Sequence, residues 1–280
     1  MLDRTARQPE RGERREAAAK PGSARRSRRR PDVREVGRAA ALLADLAALG
    51  LYYAVHDRLW SASQWWDVAF LAFVLIPAVF ALVWLVLPLR TARGLVPAAV
   101  GLAALAWACH EAGWKTPENF CKLFAVAFLG FAFLPYFEQL SWVVLVACII
   151  PFVDAFSVFS PRGPTNEIVK HHEHVFTTFS IAFPIPGEAS AANLGLPDLL
   201  FFSLFLASAA RFGLRPGLTW IAMTASFGAT LAIASVWKGG LPALPLLAIA
   251  FLAANADLIW AQLKHERFVP REDQRADARR

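Results

Sequence analysis

Two aspartates are the residues best placed to do chemistry. Asp154 stands in "VDAFSVFS" and Asp198 in "LGLPDLLFF", each inside a long apolar run. A charge at mid-bilayer costs about 2.5–3.5 kcal/mol on insertion scales, so a carboxylate kept there has a polar surrounding or a job. Asp154 falls about six residues before its run ends, and Asp198 about four residues after the next begins. Successive spans run antiparallel, which sets both carboxylates at one depth, roughly 6–9 Å below the same membrane face at about 1.5 Å per residue. Two carboxyls in contact cannot both ionise cheaply and titrate as a unit. Such a pair can polarise a water and protonate a leaving amine, the acid–base route to peptide-bond hydrolysis. The residues alone leave a second account open. Pro151 and Pro197 disturb the two helices just before the aspartates, and each carboxylate could simply be bonded to local backbone.

A third segment falls at the same level. "KGGLPALPLLAIAF" places Pro242 and Pro245 around Ala243-Leu244 at the start of the last apolar run. Pro245 lacks an N–H and Pro242 biases the preceding residue away from helix, which predicts irregular backbone with free carbonyls. Backbone of that kind is tolerated at membrane depth only when buried in protein or lining a wet cavity.

The elements that must carry these residues are transmembrane helices. The chain has 280 residues, 56% hydrophobic and 18% charged, well beyond the apolar share of a soluble domain. Apolar runs of about 17 to 22 residues recur from Ala39 onward, each able to cross a core of roughly 30 Å. They are continuous rather than alternating, which argues against a β-barrel. The expected fold is all-α, a polytopic bundle of about eight spans near 37–56, 67–89, 94–110, 119–138, 141–160, 194–212, 217–237 and 240–262. Trp60, Trp65, Trp66, Trp114, Trp142, Trp237 and Trp260 fall near span ends, as interfacial anchors do.

The net charge of +7 gathers at the ends. Residues 1–34 read as a disordered basic cytoplasmic tail that fixes topology and is able to touch anionic lipid. The stretch lacks the form of a cleavable signal peptide. Residues 35–140 hold the first four spans and 141–262 the core with both aspartates. That core includes one long loop, 161–193, and residues 263–280 form a charged tail. With an even span count, the basic tails, Arg90, Arg93, Arg211 and Arg215 share one side. Both termini are therefore expected in the cytoplasm of a bacterial plasma membrane, with the long loop outside.

Other polar residues are weaker candidates. Asp45 reads as a satisfied contact between helices and Asp257 as an interfacial residue; Glu138 and Lys122 lie near span ends. Cys109 and Cys121 flank one short loop and could meet there; with Cys148 they read as ordinary thiols. "KHHEHVF" sets His171, His172, Glu173 and His174 in a row, but successive side chains do not converge on one ion. A pH-sensitive patch is expected there, and no metal. "TTFSIAFPIP" alternates Phe179, Ile181, Phe183 and Ile185 with the period of a strand, limited to an edge by Pro184 and Pro186. Such an edge could take up an unwound peptide by strand addition.

"VDAFSVFS", "LGLPDLLFF" and "LPALP", in that order, resemble the presenilin and signal-peptide-peptidase family of intramembrane aspartyl proteases. The resemblance covers about 141–255 and is nearest the short microbial branch. It implies Asp154 and Asp198 as the catalytic pair and Gly195 as backbone freedom before the second. It implies Pro242, Ala243 and Leu244 as the wall beside them. Val153 stands where the family has Tyr, and Pro197 where it has the glycine of Gly-x-Gly-Asp. Eight spans stand against the family's nine.

Three readings follow. The first is a protease that cleaves transmembrane or signal-peptide-like helices. The second is an inactive relative that binds such helices, favoured by Pro197 and Val153. The third is a proton-coupled carrier, since broken helices with carboxylates also mark transport sites. The expected partners are membrane lipids and a transmembrane helical substrate; no cofactor and no specific nucleic acid are implied.

Overall fold

The computed structural model describes residues 33–60, 63–160, 178–237 and 241–268. The basic N-terminal tail up to residue 32, the histidine row at 171–174 and the end of the C-terminal tail lie outside these. The helices are α1 (Val33–Val55), α2 (Gln64–Phe70), α3 (Ile76–Val86), α4 (Leu95–Glu111), α5 (Lys115–Phe133) and α6 (Leu140–Phe159). After a hairpin of β1 (Ser180–Pro184) and β2 (Ala191–Gly195) come α7 (Leu196–Arg211), α8 (Pro216–Val236), α9 (Leu244–Ala254) and α10 (Ala256–Phe268). A π-helical turn, Leu71–Leu75, joins α2 to α3 into one continuous rod.

Five helical stretches are long and apolar enough to cross a membrane: 33–58, 64–91, 115–136, 140–159 and 216–236. The pair α9 and α10, bent by 69°, makes a sixth if it counts as one span. The eight spans expected from hydropathy thus reduce to five or six by length. α4 and α7, at 17 and 16 residues, stand at the short limit of a crossing length.

α7 lies at the centre of the described bundle. Phe202, Phe205, Leu206, Ala207 and Ala209 are wholly buried. Phe80 of α3 stacks on Phe202 at 4.2 Å and on Phe227 of α8 at 4.9 Å; Phe205 stacks on Phe251 of α9 at 4.8 Å. These rings tie α7 to three neighbours. α5 closes the remaining side, and it does so at a glycine. A Cβ on Gly130 would lie 2.8 Å from the Leu200 carbonyl and 2.9 Å from Ser203 Cβ. Helices in an apolar solvent gain from such close backbone approach, because there is no hydrophobic drive between them.

The outer surface is apolar. Phe73, Trp107, Phe152 and Phe156 all stand exposed, as do the seven tryptophans assigned to interfaces. α6 is the least enclosed of the core helices: Leu140, Val143 and Ala147 are buried at one end, while the end bearing Asp154 is open on most sides.

Gly130→Ala should lower stability by about 1–3 kcal/mol, since the new methyl meets backbone that cannot move aside. Gly101→Ala, which meets nothing within 4 Å, should leave the unfolding midpoint unchanged. Thermal unfolding of the purified protein in detergent compares the two.

Candidate functional site

The site begins with a helix end. α9 starts at Leu244, and its first N–H groups have no partner inside the helix. Pro245, at the second position, has no N–H to satisfy. The Leu244 N–H donates instead to Asp154 Oδ2 at 3.0 Å. The irregular entrance therefore presents a backbone donor to Asp154. Ala243 keeps its own carbonyl occupied by the Leu247 N–H at 3.2 Å. Pro242, Ala243 and Leu244 are all buried.

Asp198 stands in a similar position on α7. Gly195 is the residue before the helix, Leu196 and Pro197 its first two positions, and Asp198 its third. A carboxylate at the third position can reach back to the N–H of the residue before the helix. Asp198 does this: it accepts from the Gly195 N–H. It also lies within electrostatic reach of Asp154. Both side chains are partly enclosed, and α6, α7 and α9 pack pairwise around them. Asp154, Asp198, Gly195 and Leu244 thus fall together, with Pro242 and Ala243 as the buried turn ahead of α9.

The expected roles shift in detail. Gly195 has φ −62° and ψ 141°, ordinary extended backbone that any residue adopts. Its use is space: a Cβ there would stand 3.1 Å from Asp198 Oδ2. Pro197 is exposed, and its fixed φ suits the first helical turn, so it neither blocks nor displaces Asp198. Val153 is 60% exposed on α6 and faces away from the enclosed side.

The strand expected at 179–185 is present as β1, paired antiparallel with β2; Ala182 faces Asn193 and Ser180 faces Gly195. The edge that sequence periodicity offered to a peptide is taken, however. Tyr53 Oη donates to the Ala182 carbonyl at 2.8 Å and Tyr52 Oη to that of Pro184 at 2.6 Å. Asn119 Oδ1 accepts the Ala182 N–H at 3.2 Å. Alternation along an antiparallel pair then turns the main chain of Ala191 and Asn193 outward on β2. The side open to another strand is β2, which runs straight into Asp198.

The remaining candidates scatter. Asp45 Oδ2 is buried with no hydrogen-bond partner among the described residues. Asp257 is exposed and paired with Arg215 in a two-pronged bridge at 2.8 and 2.6 Å. Lys122 bonds Glu118 at 2.6 Å, Glu118 also meets His110 at 3.1 Å, and Glu138 is exposed. Cys109 and Cys121 do meet, thiol to thiol, but as free cysteines. Among the described residues no group of three or more His, Cys, Asp or Glu could hold a metal. Sequence reasoning missed Tyr52, Tyr53 and Asn119, which read as ordinary helix-end residues. It also missed Asn255, which is fully buried and serves the bend between α9 and α10. Its Nδ2 donates to Thr219 Oγ1 and the Phe251 carbonyl, and its Oδ1 accepts the Arg215 N–H.

Asp154→Ala should leave the Leu244 amide unpaired and speed hydrogen–deuterium exchange across 243–247. Asp154→Asn keeps an acceptor oxygen in place and should retain most of the protection. Equal exchange in both variants would show that the bond is not made in solution.

No protein-family model matches this chain. Over 110 residues, 38% of its length, it is 30% identical to Presenilin-B of Dictyostelium discoideum; the matched stretch spans 23% of that protein. The chain is therefore similar to a presenilin over part of its length, within a helical, membrane-type architecture.

Proposed function

We propose that this chain is a presenilin-like intramembrane aspartyl protease, with Asp154 and Asp198 as its catalytic pair. The observation that carries the reading is the 3.0 Å bond from the Leu244 N–H to Asp154, which joins the Pro-Ala-Leu entrance to the first aspartate while the second lies in electrostatic range. The partial likeness to Presenilin-B points the same way.

In this reading α4 and α7 also cross the bilayer, giving eight spans with both termini cytoplasmic in a bacterial plasma membrane. The shortness of α7 leaves its N-terminus, and Asp198, open to water from the outer face. One carboxyl holds the proton and the other, ionised, draws a proton from water, which attacks the scissile carbonyl. The first carboxyl protonates that oxygen, and the leaving amine takes up the proton gained from water. No cofactor is required. The substrate is a transmembrane or signal-peptide-like helix arriving through lipid beside the open end of α6. Its unwound segment would pair with the outer edge of β2, because an intact helix hides its peptide bonds behind its own hydrogen bonds.

One observation favours a second reading. Each aspartate sits at the start of a helix, Asp198 on the Gly195 amide and Asp154 on the Leu244 amide. That is also what a purely structural cap does, so a non-catalytic relative that binds transmembrane helices would keep both residues.

Co-expression with a single-span reporter helix separates the two. Cleavage should fall by at least about 10²-fold in Asp154→Ala and Asp198→Ala, the scale of a lost general acid or base. Gly195→Ala, which crowds Asp198, should cleave more slowly than wild type, and Pro197→Gly should remain active. If wild type binds the reporter without cutting it, and neither aspartate variant changes that binding, the helix-binding reading replaces the protease.

A further inference from the structure

Away from the two aspartates, a cavity of ≈ 280 Å³ opens between the start of α2, the end of α8 and the hairpin turn. Gln64, Asp67 and Val68 of α2 and Leu71 of the π-helical turn line it, at the spacing of a single helical face. Ile185, Glu188 and Ala192 line it from the hairpin, Leu231 and Ser235 from α8.

Asp67 is 7% exposed, and its Oδ1 is buried with no hydrogen-bond partner. A second carboxylate, Glu188, lies within electrostatic range. The neighbouring polar groups are committed elsewhere. Gln64 Nε2 donates to the Ser235 carbonyl at 2.8 Å and the Ser235 hydroxyl to the Ala232 carbonyl at 2.8 Å. The Ser190 hydroxyl donates to Glu188 Oε2 at 2.5 Å. Among the described residues, no lysine or arginine lines the cavity. A buried carboxylate oxygen without a donor is costly, and like charges set side by side make it more so.

We propose that this cavity binds a primary alkylammonium group, with its charge between Asp67 and Glu188 and its carbon stem on Val68, Leu71, Ile185 and Leu231. An ammonium group carries three donors, enough to serve the unpartnered Asp67 Oδ1 and to bond Glu188 as well. The apolar wall argues against a bare metal ion, which would leave most of the space empty: one water occupies only about 30 Å³. The same chemistry comes from a free alkylamine or from a lysine side chain of a polypeptide lying along the membrane surface. The site is independent of any proteolytic activity, but an occupant would brace the turn from which β2 runs to Asp198.

The test uses the full chain in lipid nanodiscs, as wild type and as Lys238→Met. Lys238 lies three residues beyond Ser235 in the sequence, and the second background lacks its amine. n-Butylammonium should raise the unfolding midpoint saturably in one or both backgrounds, and n-butanol should not. Asp67→Asn should abolish the shift and Leu231→Phe, which narrows the cavity, should reduce it. The neutral alcohol matching the amine, or Asp67→Asn leaving the shift intact, would overturn the proposal. So would a response to calcium chloride alone, or no response to the amine in either background. A lysine-ended helical peptide is then set against n-butylammonium in competition. Tighter peptide binding identifies a polypeptide source, tighter amine binding a small molecule, and its ε-acetylated form should not compete.

Discussion

An N–H group at the start of a helix has no partner within that helix, and in hydrocarbon it has no water either. The bond from Leu244 to Asp154 answers that constraint at the entrance of α9, and much of the site follows from it. It fixes α6 against α9 at a level where α6 is otherwise loosely held. α9 is held in turn to α7 by the stacked Phe205 and Phe251 rings, which sets the depth of Asp198. A carboxylate is a good partner for a helix N-terminus because the aligned peptide dipoles favour negative charge there. Two such ends, those of α7 and α9, are brought near one another. The same arrangement that stabilises each carboxylate separately puts the two in mutual range.

The hairpin is positioned by a different device. A two-stranded ribbon is marginal alone. Here β1 is held along its outer side by two phenols from the end of α1 and an amide from α5, while Ile181 and Phe183 are buried. Asp198 therefore receives its position from three directions: the ribbon through β2, the core through α7, and the Gly195 amide.

Much of this was legible in the sequence where the physics is local. The apolar runs marked helices close to where they occur, and Pro242 and Pro245 marked the irregular entrance to α9. The alternation of Phe179 to Ile185 marked a strand. What failed was whatever depends on a distant partner. Periodicity identified β1 as an edge but could not reveal that Tyr52, Tyr53 and Asn119, far off in the chain, already occupy it. Hydropathy measures apolar content and counted eight spans, of which five or six are long enough; it does not see that α9 and α10 meet at 69°. Asn255 carried no signal beyond being a polar residue in an apolar run. Two of its three hydrogen bonds, to Thr219 and Arg215, exist only because the start of α8 lies beside it. The likeness of "VDAFSVFS", "LGLPDLLFF" and "LPALP" to presenilin motifs grouped residues that the fold also groups.

The bend at Asn255 has a consequence for the surrounding lipid. α9 has a rise of about 16 Å, and α10, turned by 69°, adds only about 7 Å along the same axis. Counted as one span, the pair is shorter than the roughly 30 Å of an average hydrocarbon layer. Lipid beside α9 must then thin and compress, or its headgroups must dip toward the protein. The elastic cost is modest per ångström, but it falls on the flank nearest Asp154. Membrane thickness would thus set how deeply solvent is drawn in beside that carboxylate.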